Sequence, residues 1–217
     1  MSMQLKKLNY TPSRAEDVRA LLESEGVEVQ YIDRVNWADQ YPYKPNVTFK
    51  LAYTDDAFLL HYSVQEKELR AVVDADNGRI WEDACVEFFI APFEHDFYYN
   101  FEFNCIGKLL LHGGAKGDRI PAPEAVLKQI KRWSSLGNEP FELKEGENHW
   151  ELSVIIPFTA FFRHENDRIL EQDSLLGNFY KCGDKLPTPH FLSWSPITTE
   201  KPNFHTPEFF GSLKLEK

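Results

Sequence analysis

Along most of this chain, apolar residues recur at every second position, and that alternation constrains the fold more than any other feature. Val47, Phe49, Leu51 and Tyr53 alternate with Thr48, Lys50 and Ala52. A turn at Thr54-Asp55-Asp56 follows, and then Phe58, Leu60, Tyr62 and Val64 repeat the pattern, which is the signature of a β-hairpin. Val86, Phe88 and Ile90 form a further set. Tyr99, Phe101 and Phe103 form another, whose opposite face carries Tyr98, Asn100, Glu102 and Asn104. Trp150, Leu152, Val154 and Ile156 alternate again, and shorter strands are predicted at 109–112, 179–182, 191–194 and 212–215. Successive side chains of a strand point to opposite faces, so each set buries one face, and a one-residue slip would expose all of it. Phe49, Leu51, Phe88, Phe101, Phe103 and Val154 are therefore expected in the core.

Helical signals are few. Ser13 and Glu16 have capping-box spacing before Val18, Leu21 and Leu22, and Gly26 is a plausible stop, so a short N-terminal helix is expected. Residues 123–133 read as a second helix, with Pro123 in its first turn and Val126, Ile130 and Trp133 on one side. Residues 158–162, after Ile156-Pro157, suggest one further helical turn. About nine short strands with few helices predict an all-β fold: an antiparallel β-sandwich of two packed sheets, immunoglobulin- or jelly-roll-like. No Gly/Ser- or Pro-rich tract divides the 217 residues, so one domain is expected, a helical extension over 1–30 and a sandwich over 35–217. The 14% aromatic content suits pleated, half-buried surfaces.

Charge excludes several partners. The net charge is −10, and the basic clusters, Lys6-Lys7 and Lys128 with Lys131-Arg132, are short. A nucleic-acid binder needs a basic stripe, so nucleic acid and anionic membranes are not expected. No stretch approaches the ~20 apolar residues that span a bilayer. No apolar run follows the N-terminal lysines, so no signal peptide is expected. The start as given implies a cytoplasmic protein, and a different start an extracytoplasmic one. Cys85, Cys105 and Cys182 form no CxxC pair and cannot all pair with one another, so all three are expected free.

Enzyme signatures are absent: there is no GxGxxG, GxxxxGK[ST], HExxH or GxSxG. The seven histidines are scattered without zinc-ligand spacing. Carboxylates are abundant, but no glycosidase pair stands out, and an acidic β-protein supplies such pairs as solvated faces. Haem ligation by Met is disfavoured because the only methionines are Met1 and Met3. One constellation does stand out. Residues 81–87, Trp-Glu-Asp-Ala-Cys-Val-Glu, set a tryptophan just before a strand and put Glu87 on the face opposite Val86, Phe88 and Ile90. Residues 192–196, Leu-Ser-Trp-Ser-Pro, place Trp194 at a second strand end. A sugar offers an apolar face of C–H groups and a rim of hydroxyls, so aromatic rings plus carboxylates and amides are its natural receptor. Two buried core tryptophans would give the same spacing.

These segments resemble the family 9 carbohydrate-binding modules. The resemblance is carried by W-E-D-x-x-V-E at 81–87, the aromatic strand 98–104, S-W-S-P at 193–196 and F-F-G-S-L-K-L at 209–215. Trp37, the hairpin 47–64 and Ile156-Pro157 add to it, so it runs from Trp37 to the C-terminus. It implies a β-sandwich of the type attached to xylanases and other glycoside hydrolases, non-catalytic, holding a terminal sugar between two tryptophans. Trp81 and Trp194 are the matching positions, and Glu87 matches a residue that bonds sugar hydroxyls. Asn100 or Asn104 would lie along the cleft floor. Glu102 stands where family modules carry an arginine, and Lys181 matches a polar late-strand position that would supply compensating charge. Family modules can hold structural calcium near an N-terminal turn, but the Asp-Gly-containing segment is absent here, so no metal or other cofactor is expected. The alternative is a sandwich that has lost sugar binding and serves as a protein-interaction module, which the Glu102 departure favours.

Overall fold

The computed structural model describes residues 1–93, 95–164 and 166–217. Fourteen strands follow in chain order: β1 (Ser2–Lys7), β2 (Gln30–Tyr31), β3 (Arg34–Val35), β4 (Asn46–Tyr53), β5 (Ala57–Ala71), β6 (Cys85–Ala91), β7 (Phe97–Asn104), β8 (Leu109–Ala115), β9 (Ile120–Pro121), β10 (Lys131–Ser134), β11 (Phe141–Pro157), β12 (Ser174–Cys182), β13 (Phe191–Ser193) and β14 (Gly211–Leu215). The fold is all-β. Hydrogen-bonded neighbours run β10-β11-β5-β4-β1-β14-β12-β6-β7-β8-β9 in one continuous path, with β2, β3 and β13 beside it.

The path curls back on itself. Phe49 of β4 stacks on Phe179 of β12 with centroids 3.9 Å apart, and Phe58 of β5 meets Phe88 of β6 edge-on at 6.1 Å. These contacts join strands far apart along the path, so the core lies between its two arms. Phe49, Leu51, Phe88, Phe101, Phe103 and Val154 are all buried in it, as the alternation predicts.

The expectation of purely antiparallel sheets is corrected at β1. This strand pairs in parallel with β14, Ser2 opposite Ser212, and then with β4, Lys6 opposite Ala52. Residues 2–7 are therefore part of the sheet, and the expected helix follows them in the chain. The alternation of β1, with Met3 and Leu5 buried, spans too few residues to stand out in the sequence.

The first helix forms as α1 (Val18–Ser24), burying Val18, Leu21 and Leu22, and Gly26 follows it at φ 65°. No side-chain capping bond forms at its start: Ala15–Asp17 is a 3-10 turn with Arg14 at its N-cap, so the Ser13/Glu16 capping box is not used. The second helix is corrected as well. Only α2 (Glu124–Leu127) is helical, and Lys131–Ser134 is strand β10, with Arg132 opposite Val154. The free edge of β11 and a 2.7 Å ion pair from Arg132 to Asp76 outweigh the weak helical periodicity there. The single turn after Pro157 is a 3-10 helix, Phe158–Ala160. Among the described residues no helix is long and apolar enough to cross a membrane.

Candidate functional site

Strand β6 is hydrogen-bonded to β12 on one side and β7 on the other, so its two faces meet different surroundings. Val86, Phe88 and Ile90 enter the main core. Cys85, Glu87 and Phe89 face outward, beside Tyr180 and Cys182 of β12, Asn100 and Glu102 of β7, and Leu110 and His112 of β8. Glu87 lies directly opposite Glu102 in the ladder. This outward face is roofed: the segment 202–205 passes over it, and Phe204 stacks on Tyr180 at 4.2 Å with an 8° interplanar angle. Between face and roof lies a pocket of about 360 Å³. Trp81, Phe191 and Phe204 are its aromatic walls, and Glu87, Asn100, Glu102 and Asp184 its polar lining.

Trp81 is half-buried on a 3-10 turn, Ile80–Glu82, just before β6. Asp83 fixes that turn. Its carboxylate accepts from the Arg70 guanidinium at 2.9 Å, from the Val72 and Val73 amides at 3.1 and 2.9 Å, and from Asn104 Nδ2 at 3.1 Å. Asn104 also donates to the Val73 carbonyl and accepts from the Lys108 amide, which occupies its side chain fully. It positions the turn from behind, so its expected place on the cleft floor is corrected.

Glu87 and Glu102 are 2% and 4% exposed, and each leaves its Oε2 without a hydrogen-bond partner among the described residues. The other oxygens are used: Asn100 Nδ2 donates to Glu102 Oε1 at 2.8 Å, and the Cys182 thiol donates to Glu87 Oε1 at 3.1 Å. Burial pushes both carboxyls up, Glu102 to about 7 and Glu87 well above the usual carboxylate range, with the neighbouring Cys182 and Glu102 adding to the effect on Glu87. Burial likewise lifts Asp184 to about 6, with Glu82 adding to the effect. A buried carboxyl oxygen without a hydrogen-bond partner costs about 1–3 kcal/mol, so two on one wall mark a surface shaped for a hydroxyl-rich ligand.

Arg119 completes the site, though nothing in the sequence singled it out. It donates to Asn100 Oδ1, to the carbonyls of Tyr98 at 3.0 Å and Gly114 at 2.7 Å, and lies 3.8 Å over the Tyr98 ring. Its guanidinium thus fixes Asn100, and Asn100 fixes Glu102. His205 bonds the Tyr98 hydroxyl at 2.9 Å, and burial holds its pKa near 4, so it is neutral.

Two expected members lie elsewhere. Trp194 is 1% exposed, in the main core, and edge-on to Phe179 at 5.9 Å. A Cβ on Gly211 would lie 2.4 Å from its ring, so Gly211 leaves room for it. Asn178 holds the adjoining turn by bonding both the amide and carbonyl of Ser195, at 2.8 and 3.0 Å. The paired-tryptophan cleft is therefore corrected: Trp81 shares the pocket with Phe204 and Phe191, and Trp194 does not line it. Lys181 is also fully buried, because it shares parity with Phe179 and points into the core. Its Nζ is 2.9 Å from Glu66 Oε2 and donates to His190 Nε2 at 2.9 Å, so it offers no charge to the pocket. Glu66 in turn accepts from Trp150 Nε1 at 2.7 Å.

A wider cleft of about 870 Å³ lies beside α2 and β10, but Arg132 and Asp76 on its wall already satisfy each other.

The profile of carbohydrate-binding family 9 matches residues 16–215. No curated protein matches the chain. Among solved structures, a protein of Bacteroides uniformis ATCC 8492 described as a candidate carbohydrate-binding protein is 53% identical, with a TM-score of 0.93 and 99% of each chain covered. Two structures of a family 9 module from Caldicellulosiruptor kristjanssonii, one with glucose and one with cellotriose, are 14% and 13% identical. Their TM-scores are 0.58 and 0.57, and they cover 100% of this chain and 96% and 94% of their own. At that identity they are alike in fold. The chain belongs to carbohydrate-binding family 9, a non-catalytic sugar-binding family.

Proposed function

We propose that the pocket under the 202–205 segment holds one sugar unit of an oligo- or polysaccharide, non-catalytically, in the service of carbohydrate breakdown. The observation that carries this is the pair of unpartnered carboxylate oxygens, on Glu87 and Glu102, beside the half-buried face of Trp81. Sugar hydroxyls both donate and accept, so vicinal hydroxyls can serve both oxygens at once, whether the carboxyls are ionised or protonated. The aromatic walls meet the C–H face of the ring. A volume of about 360 Å³ suits one or two pyranose units. The bound glucose and cellotriose of the Caldicellulosiruptor module make neutral glucosides the first ligands to try.

The burial of Trp194 favours a second reading, an interaction module without sugar binding, since only one of the two expected tryptophans remains available. A roofed concave pocket with unpaired acceptors argues against it, because protein partners usually meet broader surfaces. Titration calorimetry against glucose, xylose and their oligomers separates the two. Sugar binding should appear, fall by about tenfold or more (~1.4 kcal/mol or above) in Trp81→Ala, and change its sugar preference in Glu102→Gln. A glycan array on which wild type binds nothing would leave the interaction module standing.

A further inference from the structure

Three ligating side chains meet beside the pocket, two of them lining it, and the sugar reading uses only one of them. Cys85 and Cys182 are cross-strand neighbours on β6 and β12, and Glu87 lies two residues along β6 on the same face. The two sulfurs and a Glu87 oxygen all lie within 4.8 Å of one another, and all three residues are buried. Cys182 Sγ is 3.1 Å and Cys85 Sγ 3.9 Å from Glu87 Oε1. A tetrahedral zinc site has Zn–S bonds of about 2.3 Å and Zn–O bonds of about 2.0 Å. Its edges are then about 3.5 Å between sulfur and oxygen and about 3.8 Å between sulfurs. The observed sulfur–oxygen separations bracket the first of these, and the two sulfurs lie within 4.8 Å of each other, within reach of the second by rotamer changes.

We propose that Cys85, Cys182 and Glu87 form a binding site for a thiophilic divalent cation of the zinc type. Independent support comes from Glu87 itself: its second oxygen is buried, has no partner among the described residues, and lines the pocket. A cation would neutralise that carboxylate and give its free lone pairs a use. The donor set selects the metal. Two thiolates and one carboxylate suit zinc far better than calcium or magnesium, which require more oxygens. Three protein ligands leave a fourth position, and because Glu87 and Cys182 both line the pocket that position opens toward it, where a water or a ligand hydroxyl completes the shell. Binding displaces the thiol protons to solvent, so the site loads without any oxidant. Cys105 takes no part: its thiol donates to the Arg70 carbonyl at 3.7 Å, on the other side of the turn.

The test uses the full chain under a non-chelating reductant, with Co²⁺ as the spectroscopic stand-in for zinc. Wild type should take up one equivalent and develop thiolate-to-cobalt charge transfer together with the intense visible bands of tetrahedral cobalt. Zn²⁺ should abolish both by displacement. Cys85→Ser and Cys182→Ser should each lose the charge-transfer band, and Cys105→Ser should keep it. Glu87→Gln should retain thiolate bands but weaken affinity by tenfold or more. Wild type without charge transfer, or a band that survives in Cys85→Ser, overturns the proposal. Sugar titrations on metal-stripped protein are read separately, so failure of the metal site and failure of the sugar site are distinguishable.

Discussion

At the scale of single residues, the two tryptophans chosen by spacing have opposite fates. Trp81 stands on a turn braced by Asp83 and keeps one face toward the pocket. Trp194 fills the core against Phe179 and the bare backbone of Gly211. Removing it should leave the pocket's shape intact and damage the fold: Trp194→Ala is expected to cost about 3–5 kcal/mol, as large core truncations do. Urea unfolding checks this, and a loss below about 1 kcal/mol would place Trp194 outside the core. Spacing could not separate the two rings, because both sit at strand ends next to polar residues. Lys181 was different, since its parity with Phe179 was visible in the sequence and should have put it inside. Arg119 and Phe204 lay beyond any such reading: they reach the site from a hairpin end and a loop, and alternation carries no information about loops.

At the scale of elements, one polar link crosses the apolar interior. Lys181 of β12 meets Glu66 of β5, and Trp150 and His190 complete the cluster. Burial and the adjacent Lys181 hold His190 well below its usual pKa, so it stays neutral: Nδ1–H donates to the Thr188 carbonyl, and Nε2 accepts from Lys181. A buried pair of this kind contributes little over an apolar one, yet breaking it from one side is costly. Lys181→Met should therefore destabilise by about 3–5 kcal/mol, and adding Glu66→Gln, which still accepts from Trp150, should recover a large part of that. A double-mutant cycle in denaturant measures the coupling, and additive losses would mean that the pair is not an energetic unit. The strands that alternation located were those with one face on the core. The missed ones, β2, β3, β9 and β10, are two to four residues long, and β1 is short and parallel. Too few side chains alternate in them to form a pattern, and their partners decide their structure.

At the scale of the whole molecule, the acidic pocket makes stability depend on pH in an unusual sense. A carboxyl whose folded pKa exceeds its unfolded one keeps a proton that the unfolded chain has released. Glu102 is raised from 4.5 to about 7, and Glu87 moves in the same direction. The ligand-free fold should accordingly lose stability as pH rises from about 4.5 through about 7, unlike a fold held by salt-bridged carboxylates. Gln mimics the protonated acid, so Glu102→Gln should gain on wild type by on the order of 2 kcal/mol between pH 5 and pH 8. Urea midpoints at the two pH values provide the comparison, and a constant difference between the two proteins would refute the shift.

The parallel pairing of Ser2 with Ser212 and of Leu5 with Leu215 has a consequence for how the molecule is made. It joins segments far apart in sequence, so the seam between the two arms forms through contacts of long sequence separation. During synthesis β1 emerges before β14 and stays unpaired on that side, with Met3 and Leu5 uncovered, until β14 has been made. Contacts of such long sequence separation slow folding and leave strand edges open to wrong partners. Until that pairing forms, the sheet keeps an open seam in need of protection.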